Sequence, residues 1–391
     1  MMKTLRKLAI FIMALALCLG LFAGCTSGKG GSSDEILIGG LFNLTGDQAS
    51  VDNPSKKAME MAFEEINAAG GVLGKQIKMI VEDCKTDQTA STNAAEKLIS
   101  QDKVVMLAGL ADSTFVLAAG AIAQKYNIPF IECGGTMPSL PDEVGDCLYM
   151  ACFGDNVQAY AGVDYAVDVL GAKTAWLFVD TATDYTVTLA KFYRERLELL
   201  AGPGSVILED TYQTSDVDFK AQISRLKALP EMPDVLLVTA DPSCTGAITK
   251  QIREMGIDIP IVGGDGFDTP LVVEGAGELA TDLYFTTHVS WSSDNPLVPK
   301  FIEAYKAKYG VEPETSFAAL GYDTAYLLAD AIKRAGSTDP DAIKKALSET
   351  KDLPGVAGAI SFTGGSRVPV KSVTIMKIQK GVVSFVQEIT P

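Results

Sequence analysis

From residue 35 onward, short runs of β-branched and apolar residues alternate with longer stretches whose apolar side chains recur every three or four positions. The first run, residues 36–42, predicts a strand. The next stretch sets Met59, Ala62, Phe63 and Ile66 on one helical face, with Asn53 and Pro54 expected to open that helix and Gly70 and Gly71 to close it. Further strands are expected over residues 77–81, 104–107 and 129–131, with helices over 90–99 and 115–126 between them. Strands that alternate with helices build a parallel sheet covered on both faces.

The pattern then starts again. A helix over residues 158–170 precedes strands over 175–179, 206–208, 235–238 and 259–262, with helices between. Both halves carry one local signature: Ile128-Pro129-Phe130-Ile131 leads to Gly134-Gly135-Thr136, and Ile259-Pro260-Ile261-Val262 leads to Gly263-Gly264-Asp265. A domain-sized spacing between the two copies reads as a duplicated half rather than a tandem array. After Thr287 come helices over 298–309, 317–335 and 340–350, then strand-like runs over 359–362, 373–378 and 382–386. The helices are read as completing the first domain and the strands the second. The expected N-terminal lobe is therefore residues 35–152 plus 288–354, and the C-terminal lobe residues 153–287 plus 355–391. Three crossings between them form a hinge in which few dihedrals absorb a rigid-body closure.

The N-terminus adds an address. Lys3, Arg6 and Lys7 precede an apolar run over residues 8–22 that ends in small residues before Cys25. That arrangement reads as a secretory signal over residues 1–24. The run is shorter than the roughly 20 apolar residues a spanning helix needs. Leu21-Phe22-Ala23-Gly24-Cys25 resembles the bacterial lipoprotein box, in which the cysteine is lipidated. Residues 25–34, rich in Gly and Ser, are then a lipidated cysteine and flexible tether that hold the chain on the extracytoplasmic face of a membrane.

Roughly 355 residues follow the tether, more than one hydrophobic core usually serves. Loss of Lys3, Arg6 and Lys7 takes the net charge from −16 to −19, and so acidic a surface excludes nucleic acid as a partner. Cys84, Cys133, Cys147, Cys152 and Cys244 remain, an odd number without metal-like CxxC spacing. Cys147 and Cys152 flank an extended segment too long for a disulfide to bridge, and most of the five read as small buried hydrophobes.

Ligands of open parallel sheets bind outside the carboxyl ends of the strands. In the first half those ends are followed by residues 43–46, by Ala111-Asp112-Ser113-Thr114 and by Gly134-Gly135-Thr136. In the second they are followed by residues 180–185, Thr239-Ala240-Asp241 and Gly264-Asp265-Gly266. The first wall offers hydroxyls and helix N-termini suited to an anion, and the second carboxylates and Tyr185 suited to a cation. Singly, Ser113 and Thr114 are ordinary helix caps, Asp265 an ordinary turn residue and Tyr185 a packing residue. Their sorting by charge between facing walls is what suggests a zwitterion. An enzyme finds little support: His288 is the only histidine, and GxSxG, HExxH and phosphate-loop motifs are missing. No cofactor or metal is implied.

Residues 38–46, the run Ala62-Phe63-Glu64-Glu65-Ile66-Asn67-Ala68-Ala69-Gly70-Gly71, Gly109-Leu110-Ala111-Asp112-Ser113, Ile128-Pro129, Gly264-Asp265-Gly266 and Gly321-Tyr322-Asp323 together resemble the branched-chain amino-acid binding proteins, type I periplasmic binding proteins that feed ABC importers. The resemblance implies two Rossmann-like lobes, with parallel sheets joined by a three-stranded hinge, closing on a ligand without chemistry. It implies that Ser113, Gly134 and Thr136 receive an amino-acid carboxylate, with Tyr185 and Asp265 in the other lobe and Asp265 receiving the ammonium. Asp112 and Asp241 stand beside them as further candidates. The pattern departs at Val51, where relatives often carry an aromatic, and at Asp112 and Glu132, which add acid near the anion wall. The expected protein is a monomeric, lipid-anchored receptor that delivers an amino acid or analogue to a permease; a sensor of the same fold is the other reading.

Overall fold

The first strand shows how one sheet buries both faces. In β1 (Glu35–Phe42), Ile36 and Ile38 join a cluster with Met59, Phe63 and Leu328, whereas Leu41 joins another with Leu98, Val116 and Phe301. Period-two alternation of apolar residues on both faces is what a sheet covered by helices on each side requires. The computed structural model describes residues 35–390, and the expected signal, Cys25 and the tether lie outside the described residues.

The first half continues through α1 (Ala49–Ala68), β2 (Gln76–Asp83), α2 (Gln88–Ser100), β3 (Met106–Gly109), α3 (Ser113–Tyr126), β4 (Phe130–Glu132), α4 (Leu140–Val144) and β5 (Leu148–Met150). Its sheet is wholly parallel, in the order β2-β1-β3-β4-β5. Gly109, with φ +123, closes β3 where a Cβ would overlap the Leu41 carbonyl, so the neighbouring strands meet only because no side chain intervenes.

The second half runs through α5 (Asp155–Asp168), β6 (Ala175–Asp180), α6 (Asp184–Ala201), β7 (Val206–Tyr212), α7 (Lys220–Lys227), β8 (Val235–Thr239), α8 (Thr245–Glu254), β9 (Ile261–Gly263), α9 (Leu271–Ala276) and β10 (Leu283–Thr287). Then α10 (Leu297–Tyr309), α11 (Phe317–Ala335) and α12 (Pro340–Ser348) pack with the first sheet, placing Phe301, Leu327 and Ile343 in its clusters. The chain finally returns to add β11 (Val373–Gln379) and β12 (Val382–Ile389) to the second sheet. That sheet has the order β12-β11-β10-β9-β8-β6-β7. Its strands β6 to β10 repeat the strand order of the first sheet, as expected of a duplicated half.

Several boundaries differ from the sequence reading. The second sheet is mixed rather than parallel, because β11 and β12 form an antiparallel hairpin on β10. Helix α1 begins at Ala49, with Pro54 inside it, and Asn53 is no cap. The Asn53 amide instead donates to the Ala49 and Leu44 carbonyls, tying the helix start to the preceding loop. The short β5 and β10 carried no sequence signal of their own. Residues 359–362 form no strand; Leu353 and Ile360 make an isolated bridge. The lobe boundary read after residue 354 also falls too early. Val356, Ala357, Ile360 and Phe362 sit in the first half's core, and the Asp323 carboxylate accepts the Val356 and Ala357 amides at 2.6 and 2.8 Å. All five described cysteines are free and buried.

Candidate functional site

Each sheet has a topological switch point, between β1 and β3 in the first and between β6 and β8 in the second. Ligand crevices in open α/β sheets lie outside the carboxyl ends of such strands. Gln48, just before α1, and Asp112, just before α3, bound the first crevice. Asp180 at the end of β6 and Asp241 after β8 bound the second.

The two crevices meet. The Gln48 Nε2 donates to Asp241 Oδ2 at 2.6 Å and lies 3.3 Å from Asp112 Oδ2. The Asp184 amide donates to Thr114 Oγ1 at 2.8 Å, and the Thr269 hydroxyl donates to Ser50 Oγ at 3.0 Å. Between these contacts lies a cavity of about 10 Å³, whose lining includes Gln48, Val51, Asp112, Tyr185, Asp265 and Phe317. That volume suits about one water molecule. A larger groove of about 540 Å³ is lined by α10, α11, residues 353–356 and Glu65 of α1, not by strand ends.

On the second wall, Asp265 opens the single helical turn Asp265–Phe267 after β9. Its Oδ1 accepts from Gln158 Nε2 at 2.9 Å, and its Oδ2 is 3.1 Å from His288 Nε2. Gln158, on α5, holds the loop from both sides, because its Oε1 accepts the Asp265 amide and the Thr286 hydroxyl. The Gly266 amide donates to the Tyr185 hydroxyl at 2.9 Å, and a Cβ on Gly266 would overlap the Ala240 carbonyl. His288 stacks on Phe153 with ring centroids 4.3 Å apart and meets Phe317 edge-on.

On the first wall the backbone donors of the Gly134-Gly135 turn are already engaged. Asp112 caps α3 by accepting the Thr114 amide at 2.8 Å, and Ser113 Oγ accepts the Met137 amide at 3.1 Å. Glu132, at the end of β4, accepts the Gly134 and Gly135 amides and the Ala151 amide at 2.9 Å. The anion-binding turn is thus occupied by the protein's own carboxylate. Thr136 faces α5, where its Oγ1 lies 3.4 Å from Gln158 Nε2.

The field of the cleft is strongly acidic. Burial pushes Asp112 up to about 7, with Asp241 adding to the rise. Burial likewise raises Asp241 to about 6 against the lowering effect of the Ser243 hydrogen bonds. Glu132 is raised to about 7 by burial despite its amide donors. Asp155, fully buried beside Gln158, lies well above the usual carboxylate range through burial and the proximity of Asp265. Carboxylates taken out of water and grouped together hold protons or seek cations.

Of the residues singled out in sequence, Asp112, Gly134, Tyr185 and Asp265 line the cavity, and Asp241 reaches it through Gln48. Ser113 and Thr136 are buried beside it without lining it. A family profile described as periplasmic binding protein matches residues 35–382. The chain belongs to that family. As a type I periplasmic binding protein of the branched-chain amino-acid-binding group, it is 27% identical over 341 residues to a Leu/Ile/Val-binding protein homolog of Brucella abortus, covering 83% of this chain and 84% of the relative. The leucine binding protein LivK of Thermotoga maritima superposes with a TM-score of 0.84 at 31% identity, covering 91% of this periplasmic binding protein and 99% of that chain. LivJ of Streptococcus pneumoniae, solved with isoleucine, superposes with a TM-score of 0.85 at 34% identity, covering 91% and 100%. Membership implies an extracytoplasmic location and a solute-binding fold. Among the described residues no helix is long and apolar enough to cross a membrane.

Gln48, Asp155, Gln158, His288 and Phe317 were not anticipated as site residues. Gln48 and His288 precede helices or follow strands in their own right, which is a usable signal. Gln158 and Asp155 sit in a helix N-terminus with nothing local to mark them, since Gln158 meets Asp265 across 107 residues of chain.

Proposed function

We propose that this chain is the extracytoplasmic receptor of an ABC importer, capturing a small amine-bearing molecule, an amino acid or a close analogue, between its two halves and handing it to a membrane permease. The observation that carries the reading is the approach of Asp112 and Asp265 from opposite walls onto one cavity also lined by Tyr185 and Phe317. A protonated amine between them gains charge-assisted hydrogen bonds in a site shielded from water. No step of bond chemistry is assigned to these residues. The capture cycle opens the halves at the three chain crossings and closes them on the ligand. A lipid on Cys25 keeps the monomeric receptor near its permease and raises its effective concentration there.

A thermal-shift screen across amino acids, amino-acid amides and simple amines tests this reading. A ligand at a hundredfold excess over its dissociation constant stabilises the folded chain by about 2.7 kcal/mol. A shift with at least one amine-bearing compound is expected. Silence from all of them, with a shift from a sugar or an aromatic acid, would sink it.

A further inference from the structure

We infer that the ligand selected by this cleft is an organic amine without a free carboxylate. The inference rests on the receptor reading above and narrows it. The backbone turn that follows β4 offers two consecutive amides, Gly134 and Gly135, and both already donate to Glu132, which also accepts from Ala151. A ligand carboxylate arriving there has to displace a buried protein carboxylate from three donors and then lie against it. At the start of α3, Asp112 takes the Thr114 amide, and Ser113 Oγ accepts the Met137 amide, which leaves the serine hydroxyl as a single neutral donor in place of the two consecutive amides held by Glu132.

Among the described residues lining the cavity there is no lysine or arginine. The carboxylates around it come from four separate segments: Asp112 before α3, Asp155 at the start of α5, Asp241 after β8 and Asp265 after β9. Oδ2 of the fully buried Asp155 has no hydrogen-bond partner, although Asp155 lies in the field of both Asp265 and Asp112. Two basic side chains stand near these acids among the described residues: His288, with Nε2 3.1 Å from Asp265 and Nδ1 without a partner, and the buried Lys371, which lies in the field of Glu132 and donates to the Ala151 carbonyl. Tyr185 and Phe317 complete the lining with aromatic rings, whose faces attract an ammonium. An ammonium finds carboxylate acceptors on both walls, whereas a carboxylate finds the Gly134 and Gly135 amides taken and only the Ser113 and Tyr185 hydroxyls left to donate.

The test compares three probes that share one side chain: L-leucine, L-leucinamide and 3-methylbutylamine, each titrated calorimetrically into the purified full chain near neutral pH. Leucinamide or 3-methylbutylamine is expected to bind at least about tenfold tighter than leucine. Leucine binding as tightly as leucinamide overturns the exclusion of carboxylates and leaves the receptor reading standing. No binding by any of the three overturns the inference, while the receptor reading is decided by the wider thermal-shift screen. Glu132→Ala frees the Gly134 and Gly135 amides, so it is expected to improve leucine relative to leucinamide. An unchanged ratio in the folded variant removes the role given to Glu132. Should that variant fail to fold, the ranking in the unmodified chain still decides.

Discussion

Gln48 Nε2 donates to Asp241 Oδ2 at 2.6 Å, joining the loop after the first strand to the loop after the eighth. The same amide lies 3.3 Å from Asp112, so one neutral side chain separates two buried acids that come from opposite walls. Removing it in Gln48→Ala leaves the two carboxylates facing each other without a shared donor. Leaving a buried polar group unsatisfied costs about 1–3 kcal/mol. The closed cleft is destabilised by that order, and small-angle scattering of the ligand-free variant should give a larger radius of gyration than the unmodified chain. An identical radius would count against the bridge as a latch.

Asp265 is held in place by Gln158 on one oxygen and His288 on the other. Asp265→Asn keeps the shape and removes the charge. A hydrogen bond to a charged group contributes about 1.5–3 kcal/mol, so affinity for an amine ligand should fall by about one to two orders of magnitude. Calorimetric titration measures the loss, and circular dichroism checks that the fold survives. Undiminished affinity would strip Asp265 of its ammonium role.

Stability should depend on pH in an unusual direction. Burial raises Asp52 to about 8, Asp112 and Glu132 to about 7, and Asp241 and Asp323 to about 6. In the unfolded chain these groups titrate near about 4. The folded state therefore binds their protons more tightly, and their contribution is full below about 4 and lost as pH rises through 6 to 8. The groups that face them are mostly acidic. Asp112 meets Asp52, Asp184 and Asp241; Asp241 meets Asp47 and Asp180; Lys371 faces Asp323 and Glu132. Urea denaturation should give a lower midpoint at pH about 8 than at pH about 5, and Asp52→Asn should flatten the trend. A midpoint that rises across that interval would contradict it.

Gly266→Ala tests the close approach behind Asp265. The added methyl meets the Ala240 carbonyl and the Tyr185 ring, so the turn has to move away from β8. Overpacking of this kind costs about 1–3 kcal/mol, and the displaced turn carries Asp265 with it. Melting temperature and amine affinity should fall together. A loss of stability without a loss of affinity would separate the turn from the site.

The element order was legible because burial on both sheet faces imposes period two on strands and a 3.6-residue period on helices. Phe317–Ala335 is found where its apolar pattern placed it. The short β5 and β10 were not read from the sequence, whereas the equally short β4 and β9 were, because each of those follows an Ile-Pro step and leads into a glycine pair. Asp112, Asp241 and Asp265 were legible because a strand's carboxyl end is recognisable in sequence. The use of Glu132 was not. Its acid stood two residues before a glycine pair, and only the fold of the turn shows that it faces those amides rather than solvent. Gln158 was invisible for a related reason, since its partners Asp265 and Thr286 lie 107 and 128 residues away.

The two sheets repeat one strand order, and the cleft is made where their equivalent switch points face each other. Each half buries its own apolar clusters on its own sheet, so the cores of the two halves are separate. In evolutionary terms such a cleft is an interface between copies. The residues after β3 and β4 are free to change without disturbing the packing behind β8 and β9, and the reverse also holds. A lineage can exchange an anion wall for an acid wall in one copy while the other keeps its older chemistry.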